Sequence, residues 1–378
     1  MLEALPSTPT LHSRAGMLNM WELGRQPTIA ALVCVYLAGA CSLAPSASQQ
    51  HNSLSVSSTL AGTAAPAPAQ QSTAPLTGLE LPIGDDHLGP PVVVKVDNAD
   101  GATPREGLLE ADLVFEVLVE GVTRFAAVYH SKVPARVGPV RSARTTDADL
   151  VAFLGESVLV CSGANSGTLA ALSKRPWLTV ETPVEGDPAW QRSPERQAPH
   201  DMMVNLAALT SRFGVSGPVR PLAFRHAGPP PEGWQPVGGV EIDFLHGSTV
   251  RYAWHDASGQ WLRLSHSDGV EIDGSGRWLG AENVVILDTV YQPSSVDERS
   301  PEARSVGRGD ALVLSRGEAI AGGWSRSEAG SPFTLTDHQG RTIALEPGRT
   351  WFALPQPNSA ALASGETGWR WLADAGLR

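Results

Sequence analysis

A chain of 378 residues with 42% hydrophobic content is long enough for two ordinary domains and apolar enough to bury a real core. Its formal net charge of -11, with lysine only at Lys95, Lys132 and Lys174, excludes the dense basic surface that general nucleic-acid binding requires. Two of its three cysteines, Cys34 and Cys41, fall in the N-terminal leader, which leaves Cys161 alone in the body with no disulfide partner.

The leader comes first. Arg25 precedes TIAALVCVYLAGA, Thr28 to Ala40, a stretch too short to span a bilayer and of the length of a secretory h-region. Ala38, Gly39 and Ala40 stand directly before Cys41, a lipobox-like ending after which Cys41 would take a lipid. Ala38 stands where such motifs usually carry leucine, so a plain secreted protein or an uncleaved anchor remains the alternative. Residues 1–41 therefore read as a signal peptide, with Met17 and Met20 as possible downstream starts. Residues 42–78 are rich in Ser, Ala, Thr, Gln and Pro and read as a disordered linker, because such a composition buries too little apolar surface to offset ordering.

A mixed sheet-and-helix domain is expected over residues 79–225. PVVVKVDN predicts a buried strand ending at Asp97-Asn98, and ADLVFEVLVEG with TRFAAVYHS predicts a hairpin turning at Gly121. TTDADLVAFLG predicts a helix begun near Thr145. SVLVCSG reads as a strand in which Cys161 acts as a small hydrophobe, SGTLAALSK as a short helix, and HDMMVNLAALTSRFG as a longer helix ended by Gly214.

HAGPPPEGWQPVGG, residues 226–239, reads as a linker. Beyond it VEIDFL, STVRYAWHD, QWLRLSHSD, NVVILDTVY, DALVLSR, FTLTDHQGRTIAL and TWFALP predict a β-rich domain over 240–356, with hairpin turns at DASGQ and DHQGR. The tail, 357–378, carries an amphipathic GWRWLADAGL that either docks or frays. The fold class expected is α+β or α/β: a mixed N-terminal domain followed by a smaller, mainly antiparallel β domain.

The charges that stand out lie between Asp112 and Asp147. Strand alternation puts Glu116 and Glu120 on one face and Leu113, Phe115, Val117 and Val119 on the other, and buried acids need partners. Arg124, Arg141 and Arg144 are the nearest candidates. Two readings fit. In one, Arg141 and Arg144, at the entry to the helix near Thr145 and joined by Ser142, cradle an anionic ligand with Arg124, because guanidinium forks and helix N–H groups suit carboxylate and phosphate. In the other, the same arginines neutralise Glu116 and Glu120 in an internal network.

Asp97 and Asn98 at a strand end form either an Asx turn or a ligand contact, and Arg196 and His200 in WQRSPERQAPHDMM add a cation and a proton-transfer candidate. The catalytic candidates are thus Glu116, Glu120 and His200. The ligand-binding candidates are Arg124, Arg141, Ser142, Arg144, Asp97, Asn98 and Arg196. The histidines at 130, 200, 226, 246, 255, 266 and 338 show no ligand spacing, and HExxH, GxSxG, Walker A and dinucleotide signatures are missing from the sequence, so no metal, cofactor or reaction is assigned. Arg308-Gly309-Asp310 reads as a turn, and Trp254, Trp261, Trp278, Trp324 and Trp351 as core and cross-strand packing in preference to a glycan-stacking face.

VVVKVDN, GLLEADLVFEVLVEGVTRFAAVYHS, GPVRSAR and APHDMMVN, followed by NVVILDTV, VGRGDALVLSRGEAIAGGWSRS and LEPGRTWFALP, resemble the YerB-type bacterial lipoprotein family over most of Leu79 to Pro355. The resemblance implies a signal peptide and paired domains of unknown function, and supplies no mechanism. The expectation is a lipoprotein anchored through Cys41 on the extracytoplasmic face of the cell membrane, with an anionic envelope ligand or envelope protein as partner and no nucleic acid. The alternatives are an envelope hydrolase or transferase acting on a glycan or phosphodiester, and a non-catalytic scaffold.

Overall fold

The computed structural model describes residues 72–82, 88–225, 231–244, 248–264 and 269–377. The leader with Cys41, the linker up to residue 71, and His226, His246 and His266 lie outside the described residues. In the first half the strands are β1 (Val92–Asp97), β2 (Leu113–Leu118), β3 (Thr123–Tyr129), β4 (Ser157–Val160), β5 (Leu178–Glu181), β6 (Trp190–Arg192) and β7 (Met202–Val204). Its helices are α1 (Thr145–Val151), α2 (Ser166–Leu172) and α3 (Leu206–Thr210). The second half adds β8 (Gln235–Pro236), β9 (Gly239–Asp243), β10 (Thr249–His255), β11 (Gln260–Leu264), β12 (Gly280–Ala281), β13 (Asn283–Leu287), β14 (Tyr291–Ser294), β15 (Asp297–Ala303) and β16 (Gly307–Ser315). It ends with β17 (Glu318–Arg326), β18 (Thr334–Asp337), β19 (Thr350–Leu354), β20 (Ala360–Ala363) and helix α4 (Gly365–Asp374).

The fold is of the mixed α+β class, with few and short helices. Ten strands form one sheet in the order β18-β17-β16-β13-β19-β2-β3-β1-β4-β5, and β8 extends it by pairing with β17. β19 lies between β13 and β2 and runs parallel to both. The segment expected to be a linker thus contributes a strand, and the expected domains 79–225 and 240–356 share a sheet across β2 and β19. A second sheet, β12-β11-β10-β9-β20, is antiparallel throughout.

The apolar runs explain this layering. All six residues of β1 are buried, and period-two alternation sends Val93 into one core and Val92, Val94 and Val96 into another on the opposite face. The first core holds Phe115 of β2 stacked on its register partner Phe352 of β19, ring centroids 4.9 Å apart, with Leu150 of α1 against them. The second joins Phe125 and Trp351 to Val240, Tyr252 and Trp261 of the second sheet. Each fully buried side chain of this kind contributes about 1.5–3 kcal/mol, so the two-sided burial fixes the order of the central strands.

Several expectations are corrected locally. The strand expected to run through Glu120 stops at Leu118; Val119 N–H then donates to the Val122 carbonyl, and Gly121, at φ +73°, makes the expected hairpin turn. The long helix expected over HDMMVNLAALTSRFG is a strand and a short helix. β7 pairs with β6, and Val204 bridges Val137, while Asn205 caps α3 by accepting from Ala208 N–H at 3.0 Å. Tertiary pairing overrides the helical spacing of the apolar residues there. Arg308-Gly309-Asp310 lies inside β16 and not in a turn. The tail docks: Trp371 of α4 lies under the Arg251 guanidinium, 5.2 Å from its centroid, while Trp369 faces solvent. Trp254 and Trp261 are cross-strand partners with centroids 5.1 Å apart, as expected of packing tryptophans, and Trp278 is exposed.

Candidate functional site

The site grows from the end of β1. The antiparallel register of β1 and β3 sets Arg124 directly opposite Asp97. On the other side Val140 bridges Val96, with Asp97 N–H donating to the Pro139 carbonyl at 2.9 Å and Arg141 N–H to the Lys95 carbonyl at 2.8 Å. Asp97 therefore sits between two arginines. Its Oδ1 accepts from Ala99 N–H at 3.1 Å, the expected Asx turn, and its Oδ2 accepts from Arg141 Nη1 at 2.7 Å.

His200 completes this group. Its Nδ1 lies 2.6 Å from Asp97 Oδ2 and 3.3 Å from Arg141 Nη1. A carboxylate at that distance requires Nδ1 to carry the proton and donate it, so the longer approach of Arg141 is a contact between two donors that share one acceptor. Asp97 is 1% exposed. Burial pushes its carboxyl up, but the bonds from His200, Ala99 and Arg141 outweigh this and hold it below the usual carboxylate range.

The other expected cations differ in what engages them. Arg144 is closed bidentate on Glu120, Nε and Nη2 each at 2.8 Å, and Ser300 of β15 donates to the same carboxylate. Burial raises the Glu120 carboxyl, and the Arg144 and Ser300 bonds bring it down to about 2. The entry to α1 is occupied by its own acid: Asp147 Oδ2 accepts from Arg144 N–H at 2.7 Å, and its Oδ1 from Lys95 Nζ at 2.7 Å, both side chains fully buried. The helix N-terminus expected to cradle a ligand is thereby filled from within.

Arg124 is the exception. It is 6% exposed and, among the described residues, closes on no carboxylate: Nη1 reaches the Ser142 carbonyl at 3.3 Å, Nε is buried with no acceptor, and the charges of Glu120 and Asp97 act on it only from further away. Burial, reinforced by the charges of Arg144 and Arg141, draws its guanidinium down to about 10. A cation this enclosed and this poorly paired is costly, and an incoming anion would relieve it. Ser142 serves through its backbone. Arg196 holds the loop after β1, donating from Nη1 to the Ala102 carbonyl at 3.0 Å and from Nη2 to that of Pro104.

Glu116 belongs elsewhere. By alternation it faces the second core, and at 1% exposure its Oε1 accepts from Thr123 Oγ1 at 2.8 Å, Asn98 Nδ2 at 3.1 Å and Arg263 Nη2 at 2.8 Å. Asn98 is thus turned away from Asp97 and toward Glu116. Arg263 of β11 also pairs with Glu271, which accepts from Arg105 Nη1 at 2.8 Å, while Arg105 Nε reaches the Asp97 carbonyl at 2.9 Å. Glu116 is closed on all sides, and the expected pairing of Glu116 with Arg124, Arg141 or Arg144 is corrected to Arg263.

Arg263, Glu271 and Arg105 are partners that no local spacing announces, since they lie so far from Glu116 and Asp97 along the chain. Lys95 did leave a signal: a rare lysine within an apolar strand must have an acid opposite it. Cys161 is buried, and burial raises its thiol, as befits a packing residue. Among the described residues no three His, Cys, Asp or Glu side chains converge as a metal site, and no helix is long and apolar enough to cross a membrane. A cavity of about 730 Å³ lined by Leu81, Leu222 and Phe224 lies apart from Asp97 and its partners.

The shared sheet and its two sequence halves correspond to a paired-domain family. The N-terminal domain described as a protein of unknown function (DUF3048) matches residues 76–218, its C-terminal counterpart matches 240–352, and the chain belongs to this family. The chain is 28% identical over 321 residues to the Bacillus subtilis protein named "Putative lipoprotein YerB", covering 80% of this chain and 92% of that protein. The crystal structure of Bacillus subtilis YerB is similar with a TM-score of 0.67 at 25% identity, covering 78% of this chain and all of that one.

Proposed function

We propose that the protein is a lipoprotein anchored through Cys41 on the extracytoplasmic face of the bacterial membrane, where it binds an anionic envelope ligand at Arg124 and Arg141. The anchor is supported by the h-region ending at Cys41 and by the name of the Bacillus subtilis relative. The observation that carries the binding site is Arg124, enclosed beside Arg141 and Arg144 and, among the described residues, hydrogen-bonded to a backbone carbonyl rather than closed on a carboxylate. Arg141 donates to Asp97 through Nη1 alone, which leaves its Nε and Nη2 for a ligand. Arg144, spent on Glu120, contributes charge rather than contacts.

Thermal unfolding in the presence of phosphate, pyrophosphate and citrate tests the site. Stabilisation should follow the mass-action form, growing with ligand concentration above the dissociation constant, and should vanish in Arg124→Gln and Arg141→Gln. Equal midpoints with and without every anion would defeat the binding site. For the anchor, Cys41→Ala should move the protein from the membrane fraction to the soluble one. If the anchor holds and the anions do not bind, the scaffold alternative takes its place.

A further inference from the structure

We propose that Asp97 and His200 form a proton-transfer pair that hydrolyses a phosphodiester held by Arg124 and Arg141, a role that rests on the anion-binding reading of the same site. The ring is built for directed transfer. Nδ1 is committed to the buried Asp97 carboxylate at 2.6 Å, which fixes the tautomer and leaves Nε2 as the working atom. Among the described residues Nε2 meets no hydrogen-bond partner, and the side chain is 25% exposed, so Nε2 is open to solvent.

The ring is also held in place. A Cβ at Gly101 would lie 3.0 Å from His200 Cδ2 and 3.3 Å from Nε2, tighter than ordinary contact, so the loop lies close against the imidazole and a larger residue there would press on the ring. Arg196 ties down the same loop through the Ala102 and Pro104 carbonyls, and Arg105 secures the Asp97 backbone from the opposite face. A buried carboxylate orienting a histidine, with guanidinium donors beside it, is the set that phosphodiester hydrolysis uses: a base for water, an orienting acid, and fixed positive charge for the phosphorane oxygens.

The step is balanced without a redox partner. A water oxygen attacks phosphorus as its proton passes to His200 Nε2; the new P–O bond forms and the bond to the leaving alkoxide breaks. The imidazolium then returns that proton to the leaving oxygen, giving a phosphomonoester and an alcohol. Arg124 and Arg141 bear the extra negative charge throughout. Asp97 touches neither water nor phosphate and acts as a positioning residue. Glu116 and Glu120, engaged on Arg263 and Arg144, take no part.

Release of p-nitrophenolate from bis(p-nitrophenyl) phosphate by the full chain tests this. Hydrolysis above buffer is expected, with His200→Gln losing about 100-fold or more, the range of general acid–base catalysis. In His200→Ala, added imidazole should restore part of the rate, which a merely structural histidine would not allow. Asp97→Asn should lower kcat with KM little changed; if that variant does not fold, the imidazole rescue alone decides. Phosphate that stabilises the protein while the diester is not cleaved overturns the proton-transfer role and leaves the anion site standing. Absence of both effects removes both proposals, and a His200→Gln variant as fast as the parent removes this one.

Discussion

Arg263 donates from Nη2 to Glu116 Oε1 at 2.8 Å across 147 residues of sequence, and both side chains are buried between the two sheets. Burying such a pair costs desolvation, so its gross Coulomb attraction is not its net worth; what is large is the loss when one partner goes. Arg263→Met should cost about 3–5 kcal/mol in urea unfolding, because Glu116 is left charged in an apolar layer. The double variant Arg263→Met with Glu116→Leu should cost less than the sum of the singles. Additive losses in that cycle would show that the two do not act as a pair.

Lys95 and Asp147 repeat the pattern on the other face, with an asymmetry. Asp147 also accepts from the N–H that begins α1, so Asp147→Ala removes an ion-pair partner and a helix cap, while Lys95→Met removes the partner alone. The alanine variant should be the less stable by about 0.5–2 kcal/mol, the usual worth of a cap. Equal midpoints in chemical denaturation would count against the capping role.

Glu120 sets part of the acid limit. Its carboxyl is at about 2 in the folded chain against 4.5 unpaired, so the unfolded state binds the proton more readily. The stability this contributes is fully present above about pH 5 and is lost as the pH falls through 4.5 toward 2. Since the group is partly exposed and screened, about 1 kcal/mol is expected rather than the full value of the shift. Glu120→Gln should flatten the pH dependence of unfolding in that window and change little at pH 7 beyond the loss of the pair.

Helix α4 rests on a backbone contact. A Cβ at Gly368 would come within 2.1 Å of the Gly238 carbonyl oxygen, which no rotamer change can relieve. Gly368→Ala should therefore lift α4 from β9 and β10 at a cost of about 1–3 kcal/mol. Faster proteolysis within residues 360–377, with the rest of the chain still resistant, is the expected readout; a tail as resistant as the parent's would show that the contact yields easily.

Local signals carried the sequence reading where the cause was local. The VVVKV run, the Gly121 turn, the Thr145 helix start and the tail amphipathicity each reappear in the structure, because alternation, φ and capping are properties of a few adjacent residues. Asp97, Arg124, Arg141 and His200 are legible in sequence as polar candidates, and the structure brings them together. Their partners are not: nothing near Glu116 announces Arg263, and nothing in HDMMV announces that β6 will claim it as a strand. Glu116 leaves both readings open in sequence, because an acid in an apolar strand looks the same whether it serves chemistry or cements two layers.

The place of β19 governs how the chain can come into being. Its strand partner β2 is met about 235 residues earlier, as the contact of Trp351 with Glu116 records. A chain emerging from its N-terminus must therefore carry β2 with an apolar edge open until residue 354 has been made, and such an edge invites pairing with other chains. The contact order of this closure makes it slow. Residues 72–225 produced alone should aggregate or stay partly unfolded, and the protein depends, during the interval before its last strands arrive, on whatever keeps that edge from finding a neighbour.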